Sequence, residues 1–495
     1  MSAAQELRGI LRLRPLQLII LASLLAFLAG VCCHLKWGVL DPDVWWHLAA
    51  GNWIVQHHSV PHTGIFSRSA ADRQWLSYSW GYEVLVARAY AWLGLVGLGL
   101  FAVALTLAVA YAVYWMTRRL SGHFWLACLL ALSTCYAFLF NITPRSVFFS
   151  MIFFAVVLTL ILEANRSGRA QLLYYLPLIL VFWANIHIQF IYGLFLIGLL
   201  AGINLLQRLS AFAGIRPRFL LPPTLPLGKL VAIFTACVLA TGVGPYSFRL
   251  YAVIYQYLGA KFPYQVIHEF YAIDFRSYSH YVQLLLTAAG FYAVGSQKKV
   301  DPFKLALLTV ASVVGFRSMR DSWFICISAA ACVADSSEQE ETGERYKGET
   351  PFETAGVAAA VAVAVLLLVR NTDFTDQGLR RAIAGYYPVN AINFLRHNPQ
   401  RGPLYNTLDW GGFLIWSMPE YPVVIDGRYD LYGEDLSWHF FRVHMGLESY
   451  LTDSYLNDAG LVLLQKDAPL ASELSADPRF TLIYQDQLAV IFNRR

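Results

Sequence analysis

The chain has 495 residues, of which 57% are hydrophobic, 15% are aromatic and only 14% are charged. Its mean hydropathy of +0.49 excludes a water-soluble globular protein for most of the length. The formal net charge is +5, but the Lys and Arg residues cluster in short segments beside apolar runs, as the positive-inside rule describes. Composition therefore predicts a polytopic α-helical membrane protein with no nucleic-acid partner.

Apolar runs long enough to cross a bilayer recur along the chain, and we count about eleven of them. They cover residues 16–34, 94–116, 124–141, 145–163, 172–187, 190–207, 229–246, 279–296, 302–317, 321–335 and 354–370. The first follows Arg8, Arg12 and Arg14 like a signal sequence but offers no A-x-A cleavage site, so we interpret it as an uncleaved span.

The basic residues suggest an orientation for these spans. With a cytoplasmic N-terminus, the Lys and Arg clusters fall in alternate loops, all on the cytoplasmic side. The mixed-charge segment 336–353 is then a cytoplasmic linker, and an odd number of spans places residues 371–495 outside. All seven cysteines lie in or beside apolar runs, so no disulfide framework is predicted.

The first outer loop, residues 35–93, opens on the stretch DPDVWWHLAAGNWI. Asp41 followed by Pro42 is a helix-start signal, so Asp41 serves either as an N-cap alone or also in chemistry. Asp43 and His47 are four residues apart and share one face of the same helix. Three tryptophans suit a helix lying in the lipid headgroup layer. They are Trp45, Trp46 and Trp53.

Further charged and histidine side chains fall at the predicted outer ends of later spans. They are Arg145, His187, Arg249, His268, Glu269, Arg317 and Arg320. A charge at hydrocarbon depth costs about 2.5 to 3.5 kcal/mol, so such residues normally face a wet cavity or one another. We therefore expect one polar cavity on the outer face. The alternative is that each residue ends its helix at the interface, where long side chains reach water easily.

Residues 371–495 are predicted to form a separate extracytoplasmic α/β domain. The strand-like runs GPLYN, PVVIDGR, GLVLLQ, FTLIYQD and LAVIFNR alternate with helical stretches. No glycine-rich phosphate loop, HExxH or GxSxG motif is present. Asp426 and Arg428 follow a buried-strand pattern, where α/β domains often place ligand contacts. The alternative is a turn capped by Asp426 and Gly427.

An outward-facing site restricts the chemistry that is possible there. No nucleotide-sugar pool exists outside the cytoplasm, so a transferase needs a donor delivered through the membrane, and a polyprenyl-phosphate-linked sugar meets this need. A carboxylate can take the proton of an attacking hydroxyl while Arg and His stabilise the departing phosphate. Asp41 and Asp43 could also hold Mg²⁺ or Mn²⁺, but we favour a reaction without metal.

The sequence resembles the integral-membrane glycosyltransferases of the GT-C fold. A first span, an outer loop with an acidic pair, interfacial helices, many spans and an outer C-terminal domain are shared features. In finer detail it is similar to a bacterial group of multispan proteins of that type. The matching pieces are DPDVWWHLAAGNWI, WANIHIQFIYGL, GPYSFRLY, RSMRDSWF, YNTLDWGGFLIW and VVIDGRYDLYGED.

The resemblance implies that residues 1–370 form a catalytic domain in the bacterial inner (plasma) membrane. The implied reaction is sugar transfer from a polyprenyl-phosphate carrier to a glycan, lipid or protein, with Asp43 or Asp41 as general base. The other polar residues would bind the substrate and its phosphate: His47, Arg145, His187, Arg249, His268, Glu269, Arg317 and Arg320. The tail lacks a WWD-type motif, which favours a monosaccharide transferase over an oligosaccharyltransferase acting on Asn-x-Ser/Thr.

Two other classes of protein remain as alternatives. A transporter or lipid flippase would also have many spans, but it usually shows polar groups near mid-membrane and an internal repeat, and neither is evident in the sequence. A non-enzymatic membrane assembly protein would use the outer domain as its functional part, with the outer-face charges merely interfacial.

Overall fold

The computed structural model describes residues 15–139, 142–215, 218–337 and 372–495, and Ala359 between the last two segments. Residues 15–337 form a helical domain. Its helices are α1 (Pro15–Leu35), α2 (Trp37–Leu40), α3 (Pro42–His57), α4 (Trp80–Ser121), α5 (Phe124–Leu139), α6 (Ser146–Ser167), α7 (Leu176–Ile186), α8 (Ile191–Phe212), α9 (Leu227–Ala240), α10 (Leu250–Leu258), α11 (Phe262–Val266), α12 (Tyr278–Gly295), α13 (Pro302–Arg317) and α14 (Ser322–Ser336).

Several of these helices are suited to a bilayer. Within the described residues, four segments are long and apolar enough to cross a membrane: Ile19–Leu40, Trp80–Ser121, Ser146–Ser167 and Ile188–Phe212. Three shorter apolar helices accompany them: Phe124–Leu139, Ala170–Ile186 and Leu227–Ala240. The protein is thus a helical membrane protein, as composition predicted. The number eleven stays a prediction, because the last predicted span, 354–370, apart from Ala359, and most of the linker 336–353 lie outside the described residues.

The long helix α4 is divided by a bend at Gly94. The φ of this residue is 59°, a left-handed conformation that glycine adopts without a steric penalty. The part before the bend belongs to the predicted first outer loop, and the part after it matches the predicted second span. The bend therefore separates the segment that packs under α3 from the apolar segment that follows.

Residues 372–495 form a smaller α/β domain packed on the end of the helical domain that carries α3. Its elements are α15 (Asp376–Tyr386), α16 (Val389–His397), β1 (Leu404–Asn406), α17 (Leu408–Ser417), α18 (Tyr429–His444), α19 (Ser454–Asn457), β2 (Leu461–Gln465), α20 (Pro469–Ala476), β3 (Phe480–Gln485) and β4 (Ala489–Arg494). The sheet has the order β1-β2-β4-β3. β1 is parallel to β2, and the other two pairs are antiparallel.

Four of the five predicted strands are confirmed, and the strand PVVIDGR is wrong. Val423 in this run forms only a single bridge, to Ser67 of the first loop. The backbone N–H of Arg68 donates to the Val423 carbonyl at 2.8 Å, and the Val424 N–H donates to the Asn406 side chain at 2.8 Å. The run is extended and buried, but its partners are a loop and a side chain and not the sheet.

The tryptophans of α3 are covered by protein. Trp45 is fully buried and its ring lies 5.0 Å from Phe413 and 4.6 Å from Trp416 of α17. Trp46 is also buried, against Trp75 of the first loop. The prediction that these two rings face lipid headgroups is therefore wrong, because an aromatic face suits a covering domain as well as it suits headgroups.

Candidate active site

Helix α3 places both aspartates of the acidic pair. Asp41 is the N-cap of α3, and its Oδ1 accepts the backbone N–H of Asp43 at 2.8 Å. Thr143 donates its hydroxyl to the other oxygen of Asp41, which is only 6% exposed. The predicted cap is confirmed. The Asp43 side chain is 25% exposed, so of the two it is the more accessible carboxylate.

Arg145 links these aspartates to a third carboxylate. Its guanidinium donates to Asp43 Oδ2 and to Glu269 Oε2, and its Nε lies 3.7 Å from Asp41 Oδ2. Arg320 donates to Glu269 Oε1 at 2.8 Å. Three carboxylates and two guanidinium groups from four distant segments of the chain therefore form one continuous network. The fold therefore brings together Arg145, Glu269 and Arg320, which were predicted at the outer ends of different spans.

The network lines a cavity of about 640 Å³ between the two domains. The helical domain contributes the charged residues with His268, and beside them a set of apolar side chains: Phe262, Val266, Ile267 and Phe270. The α/β domain contributes the opposite wall, which has no Lys or Arg among its described lining residues. Its polar side chains, here called the polar wall, are Tyr405, Asn406, Thr407, Asp409, Tyr429, His444 and Gln465, and they alternate with the apolar side chains of Leu408, Ile425, Phe440, Phe441 and Met445.

The carboxylates of the network differ in their affinity for protons. Burial raises the pKa of Asp43, and the neighbouring Arg145 offsets only part of this effect. Burial would also raise the pKa of Glu269, but Arg145 and Arg320 together hold that pKa below its usual value. Asp43 is thus the better proton acceptor, and Glu269 stays ionised.

A second set of residues supports Asp43 from behind. The indole N–H of Trp46 donates to Asp43 Oδ1 at 3.0 Å, and the Trp46 ring lies 3.6 Å from the His47 ring. His47 Nδ1 is 3.3 Å from Glu83 Oε1, and Ser77 donates to the other oxygen of Glu83 at 2.5 Å. Burial lowers the pKa of His47 to about 3, so this imidazole is neutral. His47 supports the site and does not line the cavity.

The α/β domain touches Asp43 through a glycine. A Cβ atom added to Gly427 would lie 2.3 Å from Asp43 Oδ1, which is closer than any real contact of this kind. Only glycine lets the backbone of the α/β domain approach the carboxylate this closely. Asp43 is therefore held from both sides, by its own helix and by the covering domain.

Besides His47, three predicted substrate-binding residues lie away from the cavity. His187 is buried and its Nδ1 lies 2.8 Å from the hydroxyl of Ser150. Arg249 is exposed in the 3₁₀ turn Ser247–Arg249. Arg317 is exposed, with its guanidinium 4.9 Å from the ring of Tyr264. The exposed positions of these two arginines agree better with the alternative, in which each residue ends its helix at the interface, than with a place in the cavity.

Asp426 and Arg428 form a closed pair in the interior. Arg428 donates to both oxygens of Asp426, at 2.7 and 2.6 Å, and neither side chain has any exposed surface. The Arg428 N–H also donates to Asp426 at 3.0 Å, which is the predicted turn cap. The guanidinium lies 4.5 Å from the ring of Trp75. This pair joins the α/β domain to the first loop, away from the cavity.

Sequence reasoning missed the polar wall of the α/β domain. Thr407 Oγ1 and His444 Nδ1 are buried atoms on this wall without a hydrogen-bond partner among the described residues. Gln465 donates to Asp409 at 3.3 Å. Thr407 and Asp409 belong to the quoted run YNTLDWGGFLIW, so a signal was present. No sequence signal pointed to His444 and Gln465, because only the folding of the chain brings them to this wall.

The expectation of a reaction without metal stays a prediction. Within the described part of the chain, no group of three or more His, Cys, Asp or Glu side chains is arranged to hold one. Asp41 and Asp43, the predicted ligands if a metal is used, both lie against Arg145. The guanidinium thus already supplies the positive charge that a cation would bring.

Comparison with known proteins identifies the fold. No protein-family model and no curated protein matches the chain. Archaeal oligosaccharyltransferase AglB from Archaeoglobus fulgidus, in complex with an inhibitory peptide and a dolichol-phosphate, is similar with a TM-score of 0.52 and 12% identity, over 90% of this chain and 69% of that chain. The apo form of the Archaeoglobus fulgidus oligosaccharyltransferase gives a TM-score of 0.51 and 11% identity, with the same coverage.

ArnT from Cupriavidus metallidurans, bound to undecaprenyl phosphate, gives a TM-score of 0.46 and 12% identity over 96% of this chain and 97% of that chain. At identities this low, the likeness to the oligosaccharyltransferase structures establishes the fold alone. The chain has the GT-C fold of membrane glycosyltransferases, as the first-loop motifs implied. The finer resemblance to a bacterial group with the DPDxWWHL motif stays a prediction.

Proposed function

We propose that the protein transfers a sugar from a polyprenyl-phosphate carrier to an acceptor in the cavity between its two domains, on the outer face of the bacterial inner membrane. One observation carries this proposal. In a GT-C fold, a carboxylate with a raised pKa lies in a cavity beside two arginines and an apolar wall. These are the groups that a lipid-phosphate sugar donor requires.

In the proposed reaction, the acceptor oxygen attacks the anomeric carbon of the sugar. The bond from this carbon to the phosphate oxygen breaks, and the polyprenyl phosphate leaves with the bonding electrons. Asp43 takes the proton of the acceptor, which contributes about 10²- to 10⁴-fold to the rate in general-base catalysis. Asp41 keeps the end of α3 in place and acts through Asp43.

The helical side of the cavity suits the donor. Arg320 remains partly exposed beside Glu269, and His268 is exposed on the same rim. These two groups face an incoming phosphate and stabilise the charge that grows on it in the transition state. The apolar set Phe262, Val266, Ile267 and Phe270 continues from this rim and suits an isoprenoid chain. AglB was solved with a lipid phosphate of this chemical class.

The wall from the α/β domain suits the acceptor. Among its described lining residues, Asp409 is the one acidic side chain, and burial lowers the pKa of His444. Hydroxyl, amide and imidazole groups there match the hydroxyls of a neutral acceptor better than an anionic one. We therefore expect a hydroxylated acceptor. The expectation that one sugar unit is transferred rests on the missing WWD-type motif in the tail.

The proposal is tested with purified protein in proteoliposomes that contain a bacterial lipid extract and an envelope fraction as acceptor. Mass spectrometry should detect free polyprenyl phosphate released in step with loss of the lipid-linked sugar. A transporter would redistribute the lipid-linked sugar across the bilayer without consuming it. The proposal is contradicted if the protein consumes no lipid-linked sugar under these conditions and if cells that lack the protein keep every envelope glycan unchanged.

Replacing Trp46 with Phe should lower the turnover number about tenfold or more and leave folding intact. The indole N–H at 3.0 Å fixes the orientation of the Asp43 carboxylate, and a hydrogen bond to a charged group contributes about 1.5–3 kcal/mol. The matched control is Trp53→Phe on the same helix, where the ring stacks on His57 at 4.3 Å and lies outside the cavity. Equal turnover of both variants would contradict the role given to Trp46.

Prolonged treatment with EDTA should leave the transfer rate unchanged, because Arg145 supplies the positive charge between Asp41 and Asp43. The measurement is the rate of polyprenyl phosphate release before and after chelation. Loss of activity that Mg²⁺ or Mn²⁺ restores would show that a metal ion takes part.

A further inference from the structure

A second cavity lies at the other end of the helical domain. It has a volume of about 780 Å³ and is formed by the ends of α6, α8, α12, α13 and α14 together with residues 221–224. Arg145 precedes α6 and Arg166 lies in its last turn, so the 22 residues of this helix separate the two cavities by roughly 30 Å. The second cavity is therefore independent of the candidate active site.

The floor of this cavity is built from buried, paired polar groups. Asp335 accepts from Lys304 at 2.6 Å and from Arg166 at 3.1 Å. Asn165 donates to Asp301 at 3.1 Å. Lys304, Asp301 and the Asp335 side chain are all less than 10% exposed. The charges of the floor are thus paired with one another, and they do not compensate the charge of the rim.

The rim carries the excess positive charge. Lys298 and Lys299 line the cavity, are exposed, and form no ion pair with any described residue. The lining as a whole has four cationic side chains against the two carboxylates of Asp301 and Asp335. The positive-inside rule accounts for lysines in a loop at this end, but it does not require them to border a cavity of this size.

The remaining lining mixes uncharged polar side chains, namely Asn204, Gln207, Thr224, Ser296 and Gln297, with an apolar strip. The side chains of this strip come from α6, α8 and α13 and from the segment before α9. They are Leu162, Leu200, Ile203, Leu221 and Phe303. A cationic rim above an apolar strip is complementary to an amphiphile with an anionic head. Basic pockets between membrane helices bind the phosphate headgroups of lipids in this way, and the volume is that of a ligand site.

We propose that this cavity binds the phosphate headgroup of an anionic phospholipid. Lys298 and Lys299 hold the phosphate, and the acyl chains lie along Leu200 and Ile203 of α8. The inference does not depend on the proposed sugar transfer, because it uses different residues at the other end of the molecule.

The test is the binding of the full-length protein to phosphatidylglycerol and to phosphatidylcholine, each titrated in detergent and followed by native mass spectrometry. The variant is K298A/K299A. The control R218A/K229A also removes two exposed cationic side chains outside the cavity lining. Arg218 and Lys229 flank the start of α9 at the same end of the molecule.

The expected result is that K298A/K299A weakens phosphatidylglycerol binding about tenfold to thirtyfold, whereas the control variant and phosphatidylcholine binding change by less than twofold. Equal binding of phosphatidylglycerol by both variants would overturn the proposal. Inorganic phosphate is tested in the same way. If it stabilises the wild-type protein but not K298A/K299A, and phosphatidylglycerol is not preferred over phosphatidylcholine, the cavity binds a soluble phosphate compound and the proposal is overturned. Unchanged melting temperatures in phosphatidylcholine show that the variants fold.

Discussion

Replacement of Asp43 with Asn is expected to reduce sugar transfer by at least a hundredfold while the protein remains folded. The amide keeps the shape of the carboxylate but cannot accept the proton of the acceptor, which removes the general base. Because burial raises the pKa of Asp43, the wild-type rate should also fall at a higher pH on acidification than it would with an exposed aspartate as base. The measurement is the initial rate of polyprenyl phosphate release against pH.

Two matched variants make this result specific. Asp72→Asn makes the same change in the same loop at an exposed position outside the cavity, and it should be fully active. Asp41→Asn should keep both its activity and nearly all of its stability, because Asn caps a helix about as well as Asp. Full activity of Asp43→Asn would remove Asp43 as the base, and if Asp41→Asn were then inactive though folded, the role would pass to Asp41.

Replacement of Arg428 with Met should destabilise the folded protein by about 3–5 kcal/mol, because it leaves the carboxylate of Asp426 buried without its partner. Thermal unfolding of the purified protein in detergent measures the effect. The double variant Asp426→Asn/Arg428→Met should recover much of the loss, since it removes both charges and keeps an acceptor for the hydroxyl of Tyr432, 2.7 Å away.

An exposed ion pair gives the control for this experiment. Arg380 donates to Asp376 at 2.6 Å on the surface of α15, with both side chains more than half exposed. Arg380→Met should cost at most about 0.5 kcal/mol. If the double variant at Asp426 and Arg428 is less stable than the single Arg428→Met, the buried charge is not what makes the single variant unstable.

Local signals in the sequence predicted the parts of the site that depend on local structure. Asp41 and Pro42 determine the start of α3, and this start places Asp43 one residue into the helix. The position of Arg145 directly before a span was equally readable. Its contacts with Asp43 and Glu269 were not, because they join residues 102 and 124 positions apart and arise only when the helices pack.

Periodicity also misled in one case. His47 shares a helical face with Asp43, but one turn further along α3 that face is covered by α4, and His47 meets Glu83 there and not solvent. The wall of Thr407 and His444 depends on how two domains are placed against each other. No spacing within one element encodes that placement, so the acceptor side of the cavity could not be predicted.

The contact between Gly427 and Asp43 ties the strength of a base to the docking of a domain. The carboxylate is a better proton acceptor than a hydrated aspartate only while residues 372–495 shield it from water. Tilting or removing this domain would let water reach the carboxylate and return its pKa to the ordinary range of an aspartate, so docking of the α/β domain would itself set how strong a base Asp43 is.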